Sequence, residues 1–131
     1  MKKKIMVDMS ATIVHHGHIR LIKKAKKFGD VVVALTSDKE IKKYKGYMPE
    51  LKFKFRKEII QEIKGVKKVI PSNFIISEKF LNKHNIDLVV NGGDYKKRKF
   101  KIRSISFNRT KNISSSKIRK LILKNNENKK K

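Results

Sequence analysis

Three histidines fall within four positions, His15-His16-Gly17-His18, near the start of the chain, and Arg109-Thr110-Lys111-Asn112-Ile113-Ser114-Ser115-Ser116 stands near its end. His15 and His18 are three residues apart, so if a helix begins at Gly17 they bracket its first turn. Their side chains can then converge on one anion at the positive helix end. Glycine at position 17 would let a phosphate approach the backbone closely. As a metal site the pair is poor, because no carboxylate or third ligand lies nearby and the chain has no cysteine. His16 is expected to pack or to face solvent. A serine run before a helix donates hydroxyl and backbone hydrogen bonds to an anion, or simply caps the helix; the residues alone allow both.

Both motifs sit where a strand should hand over to a helix. Ile5 to Val7 reads as a short buried strand, followed by Ile19, Leu21, Ile22, Ala25 and Phe28 at helical spacing and by Gly29 as a stop. Val31 to Leu35 is a second strand, ending at Thr36-Ser37-Asp38. Leu51 to Gly65 carries Phe55, Ile59, Ile60 and Ile63 on one helical face. A strand at Lys68 to Ile70 is expected to end at Pro71. Ser77 to His84 reads as a helix, Asp87 to Val90 as a strand entering the turn Asn91-Gly92-Gly93-Asp94, and Ile105 to Phe107 as the last strand. Strands alternating with helices predict an α/β fold, a Rossmann-like parallel sheet flanked by helices, with ligands at the carboxyl ends of the strands.

The 131 residues suit a single domain, here placed at 1–124, with a polar tail at 125–131 expected to be disordered. No apolar run approaches the ~20 residues that span a bilayer, and the start is too short in apolar residues for a signal peptide, so a cytoplasmic location is expected. The net charge of +25 attracts anions. It is read mainly as compositional drift toward lysine around a small-anion site. A nucleic-acid surface is not favoured, since Trp is absent and most of the seven Phe sit at core spacings.

The two motifs also carry a resemblance. His15-His16-Gly17-His18 resembles the HxGH signature of the nucleotidyltransferase superfamily, and Arg109 to Ser116 resembles the RTxGISTT signature of its small cytidylyltransferase branch, typified by glycerol-3-phosphate cytidylyltransferase. Phe28-Gly29-Asp30, Thr36-Ser37-Asp38-Lys39, Arg56-Lys57, Val69-Ile70-Pro71, His84-Asn85-Ile86-Asp87 and Gly93-Asp94 follow in the family's order. The lead-in Met9-Ser10-Ala11-Thr12-Ile13-Val14 is more similar to that of cytidylyltransferase domains fused to phosphoenolpyruvate mutase. Thr12 stands where the family commonly has Asp, and Asn112 stands where the signature has glycine. Asn tolerates a left-handed backbone better than most residues.

The resemblance implies transfer of CMP from CTP to a small phosphate- or phosphonate-bearing acceptor, with release of pyrophosphate. Mg2+ would arrive with CTP rather than in a protein cage. By motif position His15, His18, Lys45 and Arg109 would be catalytic. Met9, Ser10, Ala11, Gly17, Gly93, Asp94, Arg109, Thr110, Ile113, Ser114, Ser115 and Ser116 would bind the nucleotide. Small enzymes of this branch are dimers, so a homodimer is expected. Two alternatives remain: an adenylyltransferase of the same superfamily, and a non-catalytic basic module that binds nucleic acid or anionic lipid through residues such as Lys96 to Arg103.

Overall fold

Short β-branched runs with apolar residues on both faces become the strands of a sheet covered on both sides. A computed structural model describes residues 2–93 and 99–129. Its order is β1 (Lys4–Met9), α1 (His16–Lys26), β2 (Asp30–Thr36), α2 (Asp38–Lys45), α3 (Phe53–Gln61), β3 (Val66–Ser72), α4 (Glu78–Lys83), β4 (Leu88–Asn91), β5 (Arg103–Ser106) and α5 (Ser115–Lys129). The five strands pair in parallel in the order β3-β2-β1-β4-β5. The chain builds outward from β1 to one side, then crosses to β4 on the other. The point of reversal therefore lies between β1 and β4, where such sheets open a crevice beyond the strand ends.

Alternation along the strands separates two cores. Ile5, Val7, Val31, Val33, Leu35 and Val90 face Ile22 and Ala25 of α1 and Ile60 of α3. Met6, Val32, Ala34 and Val89 face Leu81 of α4 with Ile76 and Ile86. This is the period-2 pattern of a doubly covered sheet.

Several expectations need correction. Pro71 does not end β3, because it pairs within the strand against Leu35; β3 is an edge strand, where a missing N–H can face solvent. Helix α2 was not expected, yet Ser37 caps it by accepting the Glu40 N–H at 3.3 Å and Gly46 closes it at φ +80°. On α3 the buried pair is Arg56 and Ile60, while Phe55 and Ile59 are 46% and 44% exposed. Ile19 and Phe28 of the first helical stretch also lie exposed. None of the seven Phe is fully buried; Phe53, Phe80, Phe100 and Phe107 pack at the margins of the two cores. Helix α5 runs to Lys129 with no Gly or Pro to interrupt it.

Candidate active site

The first turn of α1 explains the histidine spacing. His15 is the N-cap, with an extended backbone, and its Nδ1 accepts the Gly17 N–H at 3.0 Å. His18, at the third helical position, returns the contact: its Nδ1 accepts the His15 N–H at 3.1 Å. The two imidazoles thus form a reciprocal capping box, using ring nitrogens where Ser and Glu usually serve. Their centroids are 4.0 Å apart at an interplanar angle of 36°. Because each Nδ1 accepts a backbone proton, each neutral ring carries its own proton on Nε2, assigned here from the hydrogen bonds. Gly17 has a local reason to be glycine: a Cβ there would lie 2.8 Å from His15 Cε1. His16 is exposed.

Electrostatics keep both rings neutral. Burial pushes His18 down to about 3, helped by neighbouring His15 and by the charge of Lys45. Burial and the adjacent His16 lower His15 as well. At neutral pH the pair is therefore two hydrogen-bond donors without net charge. Lys45, the last residue of α2, is exposed, and its charge is felt at His18.

The second motif meets the residues that lead into the first through Ser115, 102 residues on from Ile13. Its Oγ accepts the Ile13 N–H at 3.2 Å and donates to the Ile13 carbonyl at 2.9 Å. Ile113 also approaches the first turn, its Cγ2 lying 3.5 Å from where a Gly17 Cβ would stand. Ser114 performs the capping role, its Oγ accepting the Lys117 N–H at 3.0 Å, whereas Ser116 is exposed. Asn112 adopts φ +63°, so the turn that the signature closes with glycine is kept. Thr110 is partly buried and Arg109 exposed in the loop after β5.

The lead-in to the histidines is strained and tightly held. Ala11 lies at φ +46° with its side chain buried, a conformation that costs an alanine about 1 kcal/mol. Met9 is buried at the end of β1, and its carbonyl accepts from Thr36 Oγ1 at 3.3 Å. The Ser10 carbonyl accepts from Arg56 Nη1 at 2.7 Å. Across the crevice, Gly93 has φ +94° and donates to Asn91 Oδ1 at 3.3 Å. Asp94 and the basic residues Lys96, Lys97 and Arg98 lie outside the described residues.

Sequence reasoning gave no role to two arginines, Arg56, which it noted only for its place in the family's order, and Arg119. Arg56 is fully buried, with Nε donating to the Leu51 carbonyl at 2.9 Å, Nη1 also to the Thr36 carbonyl at 2.9 Å, and Nη2 to Asp38 Oδ1 at 2.6 Å. Burial lowers its pKa and the Asp38 carboxylate opposes that. It pins the ends of β1 and β2, while Asp38 accepts the Phe53 N–H at 2.9 Å and so caps α3. Arg119 joins α5 to Glu50 and Thr12. One signal was available: only six of the 36 basic residues are arginine, and the guanidinium fork is what multiple carbonyl or carboxylate contacts require.

Comparison with known proteins identifies the family. The chain is 31% identical over 125 residues to the glycerol-3-phosphate cytidylyltransferase of Bacillus subtilis, covering 92% of this chain and 97% of that protein. It is 33% identical over 93 residues to the ethanolamine-phosphate cytidylyltransferase of Mus musculus, covering 70% of this chain and 23% of that one. In fold it is similar to the lipopolysaccharide core biosynthesis protein of Thermoplasma volcanium, with a TM-score of 0.74 and 22% identity over 84% of this chain and 99% of that one. A cytidylyltransferase-like family model matches residues 10–121, a span that runs from the lead-in through both motifs and past Arg119. With that match and the near full-length relative, the chain belongs to the cytidylyltransferase-like family.

Proposed function

We propose that the protein transfers CMP from CTP to a small phosphate- or phosphonate-bearing acceptor and releases pyrophosphate. The observation that carries this reading is the meeting of the reciprocal histidine cap with the start of α5, through Ser115 and Ile13, at the reversal point of the sheet. An acceptor oxygen attacks the α-phosphorus in line, a P–O bond forms, and the bond to the bridging oxygen breaks as pyrophosphate leaves. His15 and His18 donate Nε2–H bonds toward oxygens on which charge grows, and as neutral rings they do so without a change of protonation state. Lys45 and Arg109 offset triphosphate charge. The N-terminal end of α5, with the Ser116 hydroxyl, faces the anionic tail of the nucleotide.

Among the described residues no three His, Asp or Glu side chains cluster as metal ligands, and a magnesium ion in this reading enters on the triphosphate, where it neutralises phosphate charge. A homodimer is part of the same reading. Helix α5 buries none of its residues and leaves Leu121, Ile122 and Leu123 between 56% and 58% exposed, an apolar stretch that a second copy would cover.

The test incubates the protein with each nucleoside triphosphate, magnesium and a panel of phosphate and phosphonate acceptors, and measures pyrophosphate release. CTP is expected to outpace the other three with at least one acceptor. Release with ATP alone would move the reading to an adenylyltransferase. No release with any pairing would leave the basic binding module.

A further inference from the structure

Helix α5 does more than present its first turn. Ser115 and Arg119 are four residues apart and share one helical face. From that face Ser115 ties the loop after β1, while Arg119 reaches a second loop, 46–52, that joins α2 to α3. The Arg119 fork meets the Glu50 carboxylate at both ends, Nε to Oε2 at 2.5 Å and Nη2 to Oε1 at 2.6 Å. Its guanidinium carbon lies 4.5 Å from the Tyr47 ring centroid. Nη2 also donates to Thr12 Oγ1 at 3.3 Å, and Thr12 is buried. One side chain on α5 therefore touches both the loop after β1 and the 46–52 loop.

Among the described residues the 46–52 loop pairs with no strand; at its α3 end Arg56 Nε holds the Leu51 carbonyl at 2.9 Å, and its α2 end has no such tie. It leaves α2 through Gly46 at φ +80° and enters α3 at Lys52, which makes no side-chain cap. Between these ends Pro49 is buried, although Glu50 and Met48 are exposed. Lys45 is the residue immediately before the Gly46 cap, and its charge acts on His18. Whatever fixes the loop also fixes the end of α2 and the direction of that cation.

We propose that Arg119 is the positioning residue through which the last helix latches the 46–52 loop, and with it Lys45, against the histidine pair when the nucleotide is bound. The proposal rests on the cytidylyl-transfer reading for the bound nucleotide and for its kinetic consequence, whereas the hold of Arg119 on the loop stands on the contacts alone. An anion seated at the start of α5 lies one turn from Arg119, so ordering of that helix end and closure of the loop support each other. The geometry uses what lysine lacks: a bidentate fork to the carboxylate and a planar face over the Tyr47 ring.

The test compares wild type with Arg119→Ala, Glu50→Gln and the reciprocal swap Glu50→Arg with Arg119→Glu, by amide hydrogen exchange and by steady-state kinetics with CTP. In both single variants amides of the 46–52 loop are expected to exchange about five- to tenfold faster, as loss of a partly exposed forked pair and a cation–π contact allows. Exchange in β1 and β2 should stay as in wild type. The turnover number kcat should fall by a similar factor with KM for CTP within about threefold, because the loop positions charge in the transition state more than in the ground state. The swap should recover part of both. Unchanged loop protection in Arg119→Ala overturns the proposal, and so does a loosened loop with unchanged kcat. A rise in KM alone makes Arg119 a binding residue instead. If wild type is inert with every nucleotide, the transfer reading fails, and the exchange arm still decides whether Arg119 holds the loop.

Discussion

His18 offers the sharpest test of how the site is poised, because its burial makes a claim about stability as well as about chemistry. The folded protein holds His18 at about 3, against an ordinary value of 6.5, through burial first and then the neighbouring His15 and Lys45 charges. The folded state thus resists a proton that the unfolded chain accepts. Stability from this group is fully present above pH 6.5 and is lost as the pH falls from there toward 3. Between pH 7 and pH 5 the loss from this one ring is about 2 kcal/mol, taking 1.36 kcal/mol per unit of unmatched protonation. His18→Gln removes the titrating ring while a Gln at the third helical position can still accept the His15 N–H. Urea unfolding of wild type and His18→Gln at both pH values isolates the term: the variant's stability should fall by about 2 kcal/mol less than that of wild type. Nitrogen-15 correlation spectra of the imidazoles supply the independent check, with His18 expected as the Nε2–H tautomer and untitrated down to pH 5. Equal losses of stability in the two proteins, or a His18 midpoint between 6 and 7, would refute the reasoning.

Removing the buried guanidinium by Arg56→Ala leaves the Ser10, Thr36 and Leu51 carbonyls without its N–H groups and the Asp38 carboxylate without its counter-charge. The expected loss is about 3 to 5 kcal/mol by urea unfolding, and a loss below about 1 kcal/mol would show that the network is not structural. Light scattering at micromolar concentration and moderate salt should return about twice the 15.3 kDa chain mass, and replacing Leu121, Ile122 and Leu123 together by Ser should return the monomer. A wild-type monomer under those conditions would remove the dimer from the functional reading.

The sheet was legible because its three central strands, β1, β2 and β4, are short, mostly apolar runs bounded by Gly, Asp or a turn, and because runs of this kind alternate with helical stretches. What escaped were features decided by single polar contacts. Helix α2 carries only one buried residue, Ile41, so its apolar period is faint among lysines; Ser37 and Glu40 in capping spacing were the available signal. The face of α3 was misjudged for a related reason. Phe53, Arg56, Ile60 and Ile63 follow steps of three, four and three, which is a helical stripe, but the stripe is interrupted on a hydrophobicity scale by an arginine. The guanidinium belongs inside because four acceptors wait for it there, and the helix turns to deliver it, leaving Phe55 and Ile59 outward. In the site, the two motifs could be found from sequence, whereas the tie between them at Ser115 and the Arg119 latch depend on how loops far apart in sequence come together.

The histidine motif shows why local folding and chemistry are hard to separate here. Placing the two rings three residues apart lets each close one orphan N–H of α1, and the closing bonds use Nδ1 on both. That choice leaves Nε2–H on both rings, the donor arrangement a developing phosphate charge requires. Gly17 follows from the same geometry, since the His15 ring occupies the space of its side chain. Burial then removes the alternative in which His18 is protonated, for a proton on Nδ1 would break the cap and a charge would stand in a poorly solvated place beside Lys45. The spacing His-x-Gly-His therefore encodes tautomer and charge state together with the start of a helix. A serine or aspartate cap at position 15 would preserve α1 but remove a donor, so the helix alone does not account for these residue types.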